Sequence, residues 1–387
     1  MARNSTYVPR KRPNFRTLFQ PYVAVENVAS YTYVGVLFTV KSMSLFESHL
    51  EGHLKSARKI YDAIFATKAY IGGLKPAAAR KLYTGRVDPH LTNGAEVAIS
   101  SKRIIDKLAQ VQREYLRRML SLNPRSVSVP LYTETGLYPV TPRRAGADLN
   151  YMAYVLDKRP SLPLAAMVES QAMALDGHNS WINDLHLYLS KIAPDLKFEL
   201  GGPQLTVAHA DGSLKKLRNS LNRTLRDSAM EMTRIPLITA RFDKRGPSAT
   251  ALAMRPYLME VGNADDRKAI TKLITGDHPL AIETLRRLPS NAAVRREWRV
   301  CRFCRLRDAI EAEGHILLDC KSNVMTSLRT QFHWRAREID DSFETPQAST
   351  EPYTTITKLL HRTVFLPSLA RFVREIFDVC ETTPSSA

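Results

Sequence analysis

Cys301, Cys304, His315 and Cys320 are the residues whose types and spacing point most directly to chemistry, in the pattern C-x2-C-x10-H-x4-C. Three of the chain's four cysteines fall within 20 residues. Thiolate and imidazole are the donors that Zn²⁺ takes in tetrahedral structural sites. The two-residue gap lets Cys301 and Cys304 turn onto one ion, and the His-x4-Cys pair can reach it from a helix and its end. A filled Cys3His shell has no open position, so the expected metal is one structural zinc, not a catalytic one. The competing reading, three structural cysteines and a surface histidine, is weakened by the scarcity of cysteine elsewhere.

A second pair, His49 and His53, sits at the i, i+4 spacing of a helix. No glutamate follows the first histidine as it does in a zincin motif, so a core or interface pair is the preferred reading. Asn263-Ala264-Asp265-Asp266 superficially echoes a polymerase aspartate box. It lacks the aromatic residue and flanking strands, and reads as a helix start with acids in its first turn. Pro194-Asp195 followed by Glu199 has no lysine where a PD…(D/E)xK nuclease needs one, and no Gly-rich phosphate loop is present.

These residues must be positioned by a mainly helical scaffold. The 387 residues suffice for two or three small domains, and 44% hydrophobic content permits real cores. The periodicity of Leu45, Phe46, His49, Leu50, Leu54, Ala57, Ile60 and Ile64 predicts a helix over 44–71, stopped at Gly72-Gly73. Pro76 opens another, running through Leu82-Tyr83. The clearest helix is 101–122, with an apolar stripe from Ile104 to Leu122 and Pro124 after it. Further helices are expected at 144–157, 163–175, 213–233, 265–275, 278–288, 322–338 and 354–380. Tyr22–Val25 and Tyr31–Thr39 read as two strands of one hairpin. Residues 194–212 read as a linker or hairpin, with a short strand at 204–209. The expected fold is therefore a mainly α helical bundle with an N-terminal β-hairpin and a small CCHC zinc knuckle.

The expected divisions are a basic arm (1–21), hairpin plus helices (22–160), a helical or linker region (161–212), a second helical region (213–294), the zinc module (295–325) and a C-terminal helical region with a disordered tail (326–387). The formal net charge of +18 makes polyanions natural partners. Arg3, Arg10, Lys11, Arg12 and Arg16 form a basic N-terminal segment, either a nucleic-acid-binding or nuclear-import arm or a plain flexible end. Lys102, Arg103, Lys107, Arg113, Arg117 and Arg118 cluster around the 101–122 stripe, and Arg295, Arg296, Arg299, Arg302, Arg305 and Arg307 surround the first two metal ligands. Either set can serve as a phosphate-binding face or as a solvated basic surface. Phe303 has two readings, stacking on a base and packing inside the knuckle, of which packing is preferred. No membrane span and no secretory signal is expected. The cysteine usage fits a reducing compartment, nucleus or cytoplasm, and leaves Cys380 as a buried or free thiol.

Four segments, taken together, resemble the C-terminal part of non-LTR (LINE-type) retrotransposon reverse transcriptases. Val25 to Val36 is similar to the V-x-x-V-x-x-Y-x-Y-L-G-V strand where palm meets thumb, with Val34 in place of the usual leucine. Leu82-Tyr83, Val87, Pro89 and Gly94-Ala95-Glu96-Val97 resemble the family's L-Y-x-x-V-x-P and G-A-E-V thumb stretch, with Asn93 where an aromatic is common. Leu108 to Leu122 followed by Leu131 to Pro139 resembles its L-x-x-x-Q-R-x-x-L-R-R-x-L-x-L … L-x-x-E-L-G-L-x-P run. Thr275 to Leu280, followed by the Cys/His cluster, is similar to its terminal zinc-binding domain. Residues 163–265 and 325–387 lie outside the resemblance.

The resemblance implies thumb-like helices and a zinc module without the palm. The family's metal-holding aspartates lie upstream of the Tyr-Val-Gly strand, and residues 1–61 here contain no Asp. The expectation is a non-catalytic reverse-transcriptase remnant that binds one zinc, and RNA or DNA with little sequence choice. Three other readings stay open: a zinc-stabilised protein-interaction module, a thumb subunit that completes a split RNA-directed DNA polymerase in trans, and a decayed reading frame. No small-molecule substrate is evident.

Overall fold

The computed structural model describes residues 14–15, 23–24, 28–40, 45–99, 102–200, 205–242, 250–289, 292–346 and 351–383. The rest of the basic arm, the tail beyond Thr383 and the Gly201–Gln204 stretch lie outside them. The described chain is mainly α, as its periodicity predicts. It forms two compact units, each drawn from three stretches of sequence. The first takes the described parts of 1–60, 86–111 and 140–217, and the second those of 61–85, 112–139 and 218–387. Each unit interleaves with the other along the chain, whereas the sequence suggests consecutive segments.

The N-terminal strands pair differently from expectation. Val23–Ala24 pairs antiparallel with Asn14–Phe15, and Ser30–Tyr33 pairs with Val36–Thr39. The run Tyr31–Thr39, expected to be one strand, thus folds back on itself at Val34-Gly35. Both turn residues have positive φ (47° and 79°), the requirement of a two-residue I′ hairpin turn. Gly35 meets it at no steric cost; the β-branched Val34 does not, and its side chain is 85% exposed. The β-branched residues announce strand, while the single glycine carries the turn signal.

In the first unit, the helices Val140–Lys158, Ser161–Leu175 and Trp181–Ile192 and the start of Val207–Met230 enclose one apolar core. Leu149, Met152, Val155, Met167, Ile182, Leu185, Leu189 and Phe198 fill it. The Trp181–Ile192 helix is not among the sequence expectations. Its start is set by Ser180, whose hydroxyl accepts from the Asn183 amide, and its apolar residues recur at 182, 185 and 189. The strand expected at 204–209 is instead the entry to a helix: Val207–Met230 begins there, and the Thr206 hydroxyl accepts from the His209 amide. Arg144 is fully buried and donates to the carbonyls of Leu91 and Ala98, closing a loop that no helix satisfies.

In the second unit, Ala264–Thr275 packs along the C-terminal helix Leu366–Thr382. The Asn263 side chain accepts from the amides of Asp265 and Asp266, and Gly276 ends the helix with φ 65°. The two aspartates are therefore a helix start, as expected, and Asp266 also pairs with Arg374. Asn323–Ile339 packs on the same C-terminal helix through Phe332 stacked on Phe372, with ring centroids 5.1 Å apart. The single helix expected over 354–380 is broken into Pro352–His361 and Leu366–Thr382. Pro367 explains the break, because it sits at the start of the second helix where its missing N–H costs nothing.

Glu134 and Asp277 become buried polar tethers in this unit. Glu134 is fully buried; Arg241 and the Tyr257 hydroxyl donate to it, and Arg255 donates to the Thr133 carbonyl at 2.8 Å. Asp277 accepts from the Asn123 amide at 2.7 Å and pairs with Arg287 at 2.9 Å. Helix is shorter than expected near 278–288: only Ala281–Thr284 is helical, beginning after Pro279.

Candidate metal centre

The metal module is built on an antiparallel bridge between Val300 and Ile310. The Cys301 amide donates to Ala309 (2.7 Å) and the Arg305 amide donates back to the Cys301 carbonyl (2.9 Å), so the chain from Cys301 to Cys304 curls into a tight turn. Arg305 takes φ 50° to leave that turn, a conformation costing about 1 kcal/mol for a non-glycine residue. From the other side, His315–Asp319 makes a single wide helical turn ending at Cys320, whose amide donates to the His315 carbonyl at 2.7 Å. The two halves bring all four ligand atoms within 4.8 Å of one another.

The spacings fit one tetrahedral ion. Zn–S and Zn–N bonds at the tetrahedral angle place two sulfurs about 3.8 Å apart and a sulfur and a nitrogen about 3.6 Å apart. Cys301 Sγ lies 3.8 Å from Cys320 Sγ, and Cys304 Sγ lies 3.4 Å from His315 Nε2. Cys301 and Cys320 are buried, Cys304 and His315 half-buried. The Cys320 thiol is held at about 3 by the hydrogen bond from Cys301, aided by His315 and Ser322 against the effect of burial. Cys301 is pushed up by the same hydrogen bond and by burial. A bound cation would hold both sulfurs as thiolates.

Residues outside the motif hold the ligands in place. Glu311 is fully buried and accepts from the amides of Ala281 (2.7 Å) and Arg302 (2.9 Å). The Arg302 guanidinium pairs with Glu311 at 2.7 Å and donates to the carbonyls of Pro279, Cys380 and Thr383. Arg329 donates to the carbonyls of Leu317 and Cys320, closing the end of the His315–Asp319 turn. Glu313 pairs with the buried His278 and accepts from Tyr353. Against its burial, the His278 hydrogen bond and charge, with the bonds from Glu313's own backbone and from Tyr353, lower the Glu313 pKa. Sequence spacing does not single out Glu311, Glu313, His278 or Arg329. The sequence signals are two acids flanking Ala312 in an otherwise apolar stretch and, for His278, its place in the Thr275–Leu280 run.

The basic residues fall into different settings. Arg302, read from the sequence as a nucleic-acid contact, is 8% exposed and spent on Glu311 and three carbonyls; that reading is corrected. Arg299 is half-buried, donating to Val294 and Ile282. Arg295, Arg296, Arg305 and Arg307 are exposed. On the Lys102–Met119 helix, Lys102 is exposed, Arg103 pairs with Glu47, and Lys107 pairs with Glu51 at 3.2 Å. Arg113 hydrogen-bonds Tyr132. Arg117 donates to the Ser126 carbonyl at 2.8 Å, and Arg118 pairs with Asp62 and lies 4.8 Å from the centre of the Phe65 ring. Most of this helix's charges are thus tied within their own unit, because their partners come from distant sequence. Phe303 is half-buried beneath the Arg302 guanidinium, 5.8 Å from the ring centre. Cys380 is buried, and burial raises its thiol to about 12.

His49 and His53 are joined by His90, whose Nδ1 lies 3.3 Å from His53 Nδ1. His49 Nδ1 instead accepts from the Leu37 amide at 3.3 Å, so that nitrogen is not open to an ion. Among the described residues, the Cys3His cluster is the group of such side chains that converges for a metal, and no helix is long and apolar enough to cross a membrane. Comparison with protein-family models, curated proteins and solved structures gives no match.

Proposed function

We propose that this chain is a zinc-stabilised, non-catalytic nucleic-acid-binding protein, derived from the thumb-and-metal portion of a non-LTR retrotransposon reverse transcriptase. The observation that carries the metal half is the convergence of three sulfurs and one imidazole at tetrahedral spacings. Borderline-soft donors of this kind select Zn²⁺ over Mg²⁺ or Ca²⁺. When bound, zinc supplies a cross-link between the Cys301–Cys304 turn and the His315–Cys320 turn. Four protein ligands leave no position for substrate or water, so the centre's contribution is structural.

The nucleic-acid half is supported by the net charge of +18 and by arginines left exposed on the metal-bearing unit, Arg295, Arg296, Arg305 and Arg307. Such side chains contact phosphates irrespective of sequence. The resemblance of Val25–Val36, Leu82–Val97, Leu108–Pro139 and Thr275–Cys320 to the retrotransposon enzymes supports the same reading.

The test joins metal analysis to a binding series. Purified protein is expected to carry one zinc per chain, and Co²⁺ substitution to give the absorption bands of a tetrahedral thiolate site. Labelled RNA and DNA are expected to bind with affinity that falls steeply with salt and varies little with sequence. Absence of binding at low salt by the metal-loaded protein would refute the nucleic-acid half and leave a protein-interaction module.

A further inference from the structure

The segment entering the metal module, Arg295-Arg296-Glu297-Trp298-Arg299, forms a single 3-10 turn at Arg296–Trp298. Arg299 fastens this turn to the body of the unit by donating to the Val294 carbonyl at 2.8 Å and the Ile282 carbonyl at 2.9 Å. The Glu311 amide donates to the Arg299 carbonyl at 2.9 Å and ties the same turn to the metal module. The turn is thus held at both ends, yet its indole points outward: Trp298 is 67% exposed. Leaving a tryptophan this open forfeits the burial that normally places it inside, about 2–3 kcal/mol.

Arg299, next to Trp298, ties the turn to Ile282, and the residue after that, Glu283, gathers several guanidiniums. Glu283 is buried and shared by Arg286 at 2.6 Å, Arg287 at 3.4 Å and Arg234 at 3.9 Å. Arg287 also holds Asp277. Arg234 and Arg286 are crowded together by sharing the Glu283 carboxylate, and burial, and next the Arg286 guanidinium, lower the Arg234 pKa. Arg296, exposed on the same turn as Trp298, adds a further guanidinium, with Glu297 between them in the chain. Each of these guanidiniums keeps part of its surface in water: the side chains of Arg234, Arg286 and Arg287 are 40%, 31% and 35% exposed. Sequence position does not reveal this cluster, since Arg234 lies more than fifty residues before the turn.

We propose that this surface is a binding site for single-stranded nucleic acid, with an unpaired base stacked on Trp298 and the adjoining phosphates held by Arg234, Arg286 and Arg296. The inference rests on the nucleic-acid reading above and narrows it to unpaired strands and to one place on the second unit. The chemistry follows from the two components. Crowded guanidiniums gain from a polyanion that relieves their mutual repulsion, and a flexible strand can follow them. A protruding indole offers its face to any unpaired base, whereas duplex bases are already stacked on one another and present only edges. Arginines alone would bind both forms; the indole is what separates them.

The chain supplies its own control, because Trp334 on the Asn323–Ile339 helix is also exposed, at 62%, but Arg335 beside it is committed to Glu375 at 2.8 Å. The experiment measures binding of fluorescein-labelled oligo(U), oligo(dT) and a mixed-sequence duplex to the full zinc-loaded chain across a salt series. Trp298→Ala is expected to weaken single-strand binding roughly 10-fold or more and to leave duplex binding within about 2-fold. Trp298→Phe, which keeps an aromatic face, is expected to recover most of that loss, and Trp334→Ala to bind as the parent does. Arg286→Gln with Arg296→Gln is expected to weaken binding and to reduce the single-strand salt slope by about 1.4, two phosphates' worth.

Zinc content and thermal unfolding of each variant show that it is folded. Unchanged single-strand affinity in Trp298→Ala would overturn the stacking site while leaving the general reading intact, provided the parent binds. An equal loss in Trp334→Ala, or an equal loss on duplex, would overturn it too. Failure of the parent to bind any of the three probes would overturn both.

Discussion

The chain has two clusters that look alike on paper, and they differ in what packs behind them. His49 and His53, one turn apart on the Glu47–Ala66 helix, are joined by His90. Cys301 and Cys304 are joined by His315 and Cys320. In the first cluster the backbone takes one ring nitrogen away: the Leu37 amide occupies His49 Nδ1, leaving the His53–His90 pair at 3.3 Å. In the second, backbone hydrogen bonds curl both loops around a common point, and the backbone of Phe303, Cys304 and Ser322 reaches the sulfurs of Cys301 and Cys320 without turning them from it. A regular helix offers two ligands on one face, whereas two turns closing on each other offer four. Convergence from non-helical backbone, supported by Glu311, Arg302 and Arg329, separates the metal centre from the imidazole group.

The sharpest way to break this comparison is to remove a ligand from each cluster. Cys320→Ser, or a strong chelator, should abolish metal binding and unfold the 299–322 module. The loss should be on the order of the 10 kcal/mol that structural zinc contributes in small modules, limited here by the packing that remains. His53→Ala and His90→Ala should leave the zinc stoichiometry at one, and a change in metal content in either would show that the helical cluster also binds a metal.

Next in size is the support behind the ligands. Glu311→Ala strands the buried Arg302 guanidinium and should cost about 3–5 kcal/mol in denaturant unfolding. Arg302→Met with Glu311→Leu should recover most of it, because an apolar pair leaves no uncompensated charge. A double variant as unstable as Glu311→Ala would mean that the carbonyls of Pro279, Cys380 and Thr383 depend on Arg302 more than Glu311 does.

Two glycines sharpen the contrast further. A Cβ on Gly314, next to the ligand His315, would meet Pro352 Cβ at 2.8 Å, so Gly314→Ala should destabilise the metal-bearing unit by about 1–3 kcal/mol. Gly52 lies in the middle of the Glu47–Ala66 helix with nothing within 4 Å of an added Cβ. Gly52→Ala should therefore stabilise by about 0.5–1 kcal/mol. Paired thermal melts of the two variants should move in opposite directions.

The imidazole cluster has its own signature in pH. Burial, then the positive potential of His49, His90 and Arg144, lowers His53 to about 4 from 6.5. The unfolded chain takes up its proton near the ordinary value and the folded chain only near 4. Stability is therefore undiminished above about pH 6.5 and falls as the pH drops toward 4. The His53 share is about 1–2 kcal/mol after allowance for solvent screening. His333 in the other unit is lowered to about 4 in the same direction by burial and by Arg329 and Arg337. His53→Gln should remove only the first unit's part of the loss, read by amide exchange at Leu50 and Leu54 between pH 7 and 5; an unchanged pH response there would sink the assignment.

Some features were legible in the sequence because they are local. The four ligands, the helix start at Asn263, the stripe of the Lys102–Met119 helix and the mainly α class all depend on spacings of a few residues. These spacings act through helix period, capping and ligand reach. The hairpin register at Val34-Gly35 was not legible, because one glycine must outweigh a run of strand formers. The Trp181–Ile192 helix is not among the expectations although it carries the same local signals, a Ser180 cap and apolar residues at 182, 185 and 189.

Tertiary structure alone decided which charges are free. By sequence, Arg302 and Arg296 are equivalent members of one basic run. In the fold, Arg302 is enclosed with Glu311 and three carbonyls, while Arg296 stands in water beside Trp298. It also gathered Arg234, Arg286 and Arg287 on Glu283 from separate elements. The physical reason is reach. A metal motif or a helix cap closes over residues that are neighbours in the chain, and sequence therefore determines it. The partner of a long cationic side chain is whatever carboxylate or carbonyl the packing of distant helices brings within hydrogen-bond distance.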